Sequence, residues 1–228
     1  MIDSQEVKRI TRELGADLVG IAPVQRFEHG PEGFRPTDVL PGAKSVIAYV
    51  KRFPNSVFST ESPMPYTFAS SVTLQEVFRV AYGMTLRLED YGVTAVPIPS
   101  EPYEHWDEEK QEGRGLMSLK HIGYLAGLGV LGKNTLLTND RYGTLITLGA
   151  VLVDIPLKED PVAEYSFCGD DCEICLSNCP AGALDGVTVN QKKCRERSQS
   201  VTKKGYFLYT CNLCRKICPN RNGINQIK

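Results

Sequence analysis

The first 167 residues of this 228-residue chain contain no cysteine, and all eight cysteines fall between Cys168 and Cys218. The larger part therefore has no thiol to crosslink. The start, MIDSQEVKRITREL, is polar and helix-like rather than basic and then apolar. Both features argue against the disulfide framework of a secreted domain and leave metal ligation as the reading of the cysteines. No apolar run approaches the roughly 20 residues of a membrane helix, so a cytoplasmic chain with no membrane partner is expected. Neither sign of charge dominates: 26 Lys and Arg stand against 27 Asp and Glu, and the whole-chain field draws in no polyanion. An apolar content of 42% suffices for one sizeable domain with a small one appended.

Asp3 or Ser4 can cap a first helix in which Val7, Ile10 and Leu14 recur at helical spacing and Gly15 closes the end. Strands are expected at 16–22 and, after the turn Leu40-Pro41-Gly42, at 45–50. Residues 53–68 are rich in Pro, Ser and Phe without a period and read as a long loop. Leu74, Val77, Phe78, Ala81, Met84 and Leu88 make one stripe of a helix over 72–91, ended by Gly92. A strand at 94–98 follows, then an acidic and aromatic loop, 101–112, with His105 and the single tryptophan, Trp106. Residues 116–126 have helical character, broken by glycines before a long strand at 145–153. Alternating helices and strands predict an α/β or α+β domain over residues 1–160. Pro156 to Pro161 reads as a linker to a second domain at 161–228.

The first cysteine motif is Cys168-Gly-Asp-Asp-Cys172-Glu-Ile-Cys175-Leu-Ser-Asn-Cys179-Pro180, and the second is Cys211-Asn-Leu-Cys214-Arg-Lys-Ile-Cys218-Pro219, with Cys194 alone upstream. From Cys172 onward the first matches the bacterial ferredoxin run, which ends in three residues and then Cys-Pro. Short loops of this kind present several thiolates to one cluster while their backbone N–H groups reach its sulfurs. The fourth cysteine of each run serves the other cluster. That crossing rule predicts one 4Fe-4S cluster on Cys168, Cys172, Cys175 and Cys218, and a second on Cys179, Cys194, Cys211 and Cys214. A pair of structural zinc sites is the alternative, since zinc also takes close cysteine pairs. Two clusters move single electrons, and the domain in front of them should hold the acceptor.

The central stretch Ser118-Leu-Lys-His121-Ile-Gly-Tyr-Leu-Ala-Gly127-Leu-Gly129-Val-Leu-Gly132-Lys133-Asn134-Thr135-Leu-Leu, followed by Arg141-Tyr-Gly143, resembles the AGLGxxGKNxLL segment of the epoxyqueuosine reductase family and of related reductive-dehalogenase-like iron-sulfur proteins. Leu14-Gly15-Ala-Asp-Leu-Val-Gly20, Leu40-Pro41-Gly42 and both cysteine motifs agree in order, so the resemblance covers nearly the whole chain. It implies a nitroreductase-like domain that binds a cobalamin beside a bacterial ferredoxin-like module, with one cluster passing electrons to cobalt. Gly127, Gly129 and Gly132 would let backbone approach a bulky macrocycle, and Lys133, Asn134 and Thr135 would donate to its amide or phosphate groups. A tight helix-to-strand turn accounts for the same glycines without a cofactor.

This chain departs from the family pattern twice. No carboxylate stands in Ser118-Leu119-Lys120-His121, where the family has a proposed proton donor, and the sequence stops shortly after Cys218-Pro219, where tRNA-acting members continue into helical repeats. His121 is the replacement candidate, with Tyr103, His105 and Tyr142 behind it. A tRNA partner is accordingly not favoured over a small-molecule or corrinoid-protein substrate, served by an external low-potential donor of flavodoxin or ferredoxin type. The expected function is a cobalamin-dependent 4Fe-4S reductase. The alternatives are an electron-transfer or corrinoid-handling protein with no organic substrate of its own, and a flavin in place of cobalamin.

Overall fold

The computed structural model of the chain describes residues 2–224. Asp3 caps α1 (Ser4–Glu13) by accepting from the Glu6 N–H, and Val7 and Ile10 face inward. Gly15, at a φ of +106°, turns the chain into β1 (Leu18–Pro23). A 3-10 turn (Val24–Phe27) and the short α2 (Pro36–Val39) lead to β2 (Ser45–Arg52). The segment expected as one long loop is loop only at its start. After a 3-10 turn at Asn55–Ser59, α3 (Pro63–Glu89) begins well before Val72. Ser62 caps it by accepting from the Met64 N–H. Pro63 and Pro65 fall in the first turn, where a missing N–H has no helical partner to lose, so these prolines mark a helix start.

β3 (Ala95–Ile98) follows. The acidic loop is a hairpin, β4 (His105–Asp107) and β5 (Glu112–Arg114), that the irregular sequence did not announce. Then come α4 (Leu119–Leu125), the small pair β6 (Val130–Leu131) and β7 (Leu137–Thr138), and β8 (Ile146–Val153). The cysteine segment holds α5 (Ile174–Ser177), α6 (Gln191–Ser198), the hairpin β9 (Gln199–Val201) and β10 (Phe207–Tyr209), and α7 (Leu213–Lys216).

The main sheet has the order β1-β2-β8-β3, and every neighbouring pair is antiparallel. It is buried on both faces, and its side chains divide by the two-residue period of a strand. Ile21, Ile47, Tyr49, Val151 and Val153 pack against α1 and α3. Ala22, Val46, Ala48, Val50, Ala150 and Leu152 pack on the other side with Ile122 and Ala126 of the α4 region. Each fully buried Ile or Leu contributes about 1.5–3 kcal/mol. Close approach fixes two glycines. A Cβ on Gly20 would stand 2.1 Å from the Ala126 carbonyl oxygen, so β1 and the end of α4 touch through backbone. On Gly149 it would stand 2.3 Å from the Tyr49 ring, whose hydroxyl donates to the Val77 carbonyl at 2.7 Å.

The segment after β8 is pinned. Asp160 pairs with Lys8 of α1 at 2.5 Å, and its carboxylate accepts from the Ile21 N–H at 2.9 Å while its own N–H donates to the Ile21 carbonyl. Arg26 donates to the Asp160 carbonyl and to that of Leu125, both at 2.7 Å. The bonds to Ile21 cover the outer edge of β1. Asp160→Ala should lower unfolding free energy by about 2–3 kcal/mol through loss of charge-assisted hydrogen bonds. Urea unfolding checks this, and an unchanged midpoint would contradict it.

Candidate functional site

Three junctions seat the cysteine segment on the sheet layer. Lys133 donates to the Asp170 carbonyl at 2.6 Å, and Asn134, which is buried, directs its amide at the Cys214 carbonyl at 3.4 Å. Past Cys218-Pro219, the Thr144 N–H donates to the Arg221 carbonyl and the Ile224 N–H to that of Asp140. Gly143 is clamped there, since a Cβ on it would lie 2.2 Å from the Asn220 carbonyl oxygen. The third junction is a reciprocal pair on α6: the Gln191 side chain accepts from the Gly113 N–H at 3.1 Å and donates to the Gly113 carbonyl at 3.2 Å.

Within this segment the thiols fall into neighbourhoods. Cys168 and Cys172 lie close enough to Cys175 and to Cys218 to raise both thiol pKa values, on top of the larger effect of burial. Burial pushes the Cys214 thiol up to about 11, with Cys194, Cys211 and Cys175 adding to the rise and Arg215 opposing it. Cys175 therefore stands between the two groups. The Cys179 sulfur accepts from the Ala183 N–H at 3.4 Å, one of the backbone bonds that a cluster-ligating thiolate uses. Among the described residues no group of three or more His, Cys, Asp or Glu converges closely enough to hold a single metal ion. The buried Arg195 Nε, next in sequence to Cys194, is a donor without a protein partner. The grouped thiols and the spare donor are chemically suited to a sulfide-bearing cluster.

The glycines of the glycine-lysine run are closely packed. Gly127 has φ +76°, and a Cβ on it would meet the Pro161 carbonyl oxygen at 2.1 Å; on Gly129 it would meet that of Thr138 at 2.1 Å. Gly132 faces Asn134 and Thr138. Thr135, at φ +64°, accepts from Lys120 through its carbonyl at 3.2 Å. Gly127, Gly129, Gly132, Lys133, Asn134 and Thr135 all make contacts within the protein. The close-packed turn explains the glycines.

A cavity of about 910 Å³ lies elsewhere, between the Val24–Phe27 turn, β5, α4 and the start of α6. Phe27, Phe34, Met117, Ile122 and Leu125 make its walls mostly apolar, with Arg26, Arg114, His29 and His121 among the polar groups. No Asp or Glu lines it among the described residues. Of the proton-donor candidates only His121 is here. Its Nδ1 lies 2.7 Å from the Ser118 hydroxyl, and burial in the cavity mouth, then the charge of Lys120, lower its pKa. His105 packs on Phe34 at 5.3 Å, Tyr142 carries Arg141 over its ring at 5.0 Å, and Tyr103 stacks on Trp106 at 6.0 Å. Sequence reasoning missed Ser118, Arg114 and Gln191. Serine three residues before a histidine at a helix start was the available signal for Ser118; none existed for the others, which the fold brings together.

Arg195 closes the seam between hairpin and α6. Its guanidinium lies 5.0 Å over the Tyr103 ring and 5.2 Å over the Trp106 ring, and donates to the Tyr103 hydroxyl at 2.8 Å and to Gln191 Oε1 at 2.9 Å. Arg195→Ala should cost about 1–2 kcal/mol and move the emission of Trp106 to longer wavelength with the far-ultraviolet dichroism unchanged. Unaltered emission would mean that the clamp is absent.

No family model matches the chain. Solved structures define its fold class, a mixed α/β architecture common to epoxyqueuosine reductases and reductive dehalogenases. An epoxyqueuosine reductase with an epoxyqueuosine-modified tRNA-Tyr stem loop superposes with TM-score 0.64 at 19% identity, over 96% of this chain and 65% of that one. A variant of the catabolic reductive dehalogenase NpRdhA gives 0.70 at 18%, over 97% and 32%. A reductive dehalogenase whose structure suggests a mechanism for B12-dependent dehalogenation gives 0.59 at 16%, over 92% and 28%. In sequence the chain is a homologue of the epoxyqueuosine reductases: it is 30% identical to that of Staphylococcus aureus over 97% of its own length, and spans 65% of that relative. No helix among the described residues is long and apolar enough to cross a membrane.

Proposed function

We propose that the chain is an iron-sulfur reductase in which residues 161–228 hold two 4Fe-4S clusters and residues 1–160 hold a corrinoid and an electrophilic substrate in the cavity beside α4. The observation that carries this reading is the Gln191–Gly113 pair. Cys194 lies three residues along α6 from Gln191, about 4.5 Å of helix rise, so the helix bearing a cluster ligand forms part of the cavity wall. Cys179, Cys194, Cys211 and Cys214 would hold the cluster at the wall, and Cys168, Cys172, Cys175 and Cys218 the second, adjoining it through Cys175 and Cys214. Two adjoining one-electron centres suit a two-electron reduction.

The apolar walls and the B12-dependent neighbour support the corrinoid. When reduced, a corrinoid supplies a strongly nucleophilic metal centre. The chain's own part is to exclude water with Phe27, Phe34, Met117 and Leu125, to present Arg26 and Arg114 to negative charge, and to hold a proton at His121. An epoxide or a halide is the chemical class that such a site reduces. Epoxyqueuosine in tRNA is one such epoxide and the substrate that the homologues point to. The absence of a carboxylate from the cavity lining favours a second reading, a corrinoid-reducing protein with no organic substrate of its own, fed by the same external low-potential donor.

Anaerobically reconstituted protein should carry iron and sulfide near about eight each per chain; about four of each, or stoichiometric zinc, would overturn the two-cluster assignment. Hydroxocobalamin titrated into the holoprotein should bind with a base-off change in its visible spectrum, and no spectral change would remove the corrinoid. With His121 as donor, only its imidazolium form is productive. Because its pKa lies below the ordinary histidine value, turnover should rise as pH falls through that lowered pKa, and His121→Asn should flatten the rise. An unchanged profile in the variant would exclude His121.

A further inference from the structure

The second cysteine motif departs from the ferredoxin run in one place. That run has two residues between its first and second cysteines, whereas sixteen separate Cys194 from Cys211, and they contain the β9–β10 hairpin. The base of the hairpin is anchored. The Tyr209 N–H donates to the Thr67 hydroxyl of α3 at 3.0 Å, and the Tyr209 ring meets Tyr66 edge-on at 6.1 Å. Its outer part is bare. Val201 is 67% exposed and Phe207, paired opposite it, 43%, while Tyr206 beside the turn is 68% exposed.

The charge of the segment that carries this hairpin is one-sided. From Gln191 to Lys216 the chain carries eight Lys or Arg and one acidic residue, Glu196, which leaves 18 basic against 26 acidic residues elsewhere. Lys193, Arg197, Lys203 and Lys204 form no ion pair among the described residues. Beside the hairpin opens a cleft of about 500 Å³, lined by Pro180, Arg197, Thr210, Cys211 and Lys216. A cluster ligand thus lines an open cleft beside Arg197 and Lys216, the latter paired with Glu61 at 3.6 Å. The mouth of the other cysteine group is acidic, with Asp170, Asp171 and Glu173 all exposed around Cys172.

We propose that the β9–β10 hairpin and the cleft at Cys211 form the docking site of a small acidic one-electron carrier protein, which delivers electrons to the cluster on Cys179, Cys194, Cys211 and Cys214. Exposed aromatic and aliphatic side chains give the contact its centre, and the lysines steer an acidic partner onto it and away from the acidic mouth. Each encounter moves one electron: the carrier is oxidised by one, the cluster is reduced by one, and no bond or proton changes. The position of the patch, between two ligands of one cluster, suits electron entry. The inference rests on the two-cluster reading.

The test is stopped-flow bleaching of the reconstituted holoprotein by a reduced flavodoxin, an acidic carrier, compared with reduction by dithionite. The wild-type second-order rate should fall steeply with added salt. The doubly substituted K203E, K204E protein should be reduced by flavodoxin on the order of tenfold more slowly at low ionic strength, with its dithionite reduction and iron content unchanged. Phe207→Ser should slow flavodoxin reduction at every ionic strength. Wild-type flavodoxin rates in both variants with intact clusters would overturn the docking site alone, as would variants that lose only affinity for a labelled RNA stem loop or only self-association. A reconstituted wild type with no bleachable cluster absorbance would overturn the cluster reading and the docking site together.

Discussion

A single carboxylate governs how the cysteine segment leaves the sheet. Asp160 closes both outward backbone bonds of Ile21, pairs with Lys8 and offers its carbonyl to Arg26, so α1, the edge strand β1 and the turn after it all converge on one residue. Its neighbour Pro161 fills the space over Gly127, which only a residue without Cβ can leave free. The end of α4 is set by the same contact, and with it the wall of the cavity that His121 occupies. An unpinned linker would let the cysteine segment wander relative to that cavity.

The seam beyond Asp160 is polar and specific, unlike the sheet core. Carbonyls of Gly169, Asp170 and Cys214 are taken by Lys133 and Asn134, and Gln191 completes the backbone of Gly113. Polar groups paired in this way favour one arrangement, because a slip breaks several hydrogen bonds at once. The helix α6 gains its place from this seam, with one end at the apolar cavity, Cys194 in its middle and Arg197 at the open cleft. Mostly apolar walls thus stand on one side of α6 and basic side chains on the other.

Much of this was legible from residue patterns, and the failures have definable causes. The capped start of α1, the stripe of α3 and the long strand β8 follow local periodicity and were read from it. The early start of α3 was hidden because proline signals both loops and first turns. The β4–β5 hairpin was hidden because its pairing is stabilised by Arg195 from ninety residues away, which stacks on Tyr103 and Trp106. Spacing separated the cysteines into two motifs, yet nothing local could say that Gln191 would meet Gly113. The Gly-Lys-Asn-Thr run has contacts that no local pattern announced. It packs against Pro161, Thr138 and the cysteine segment, partners that lie apart from it in sequence.

The account stands on two clusters in defined rings of thiolates, one of them beside the cavity. Anomalous scattering at the iron edge from crystals of the anaerobically reconstituted protein addresses this directly. Two groups of four iron atoms are predicted, one encircled by Cys168, Cys172, Cys175 and Cys218, the other by Cys179, Cys194, Cys211 and Cys214. A single scatterer in either ring, or sulfur atoms joined as disulfides, would contradict it.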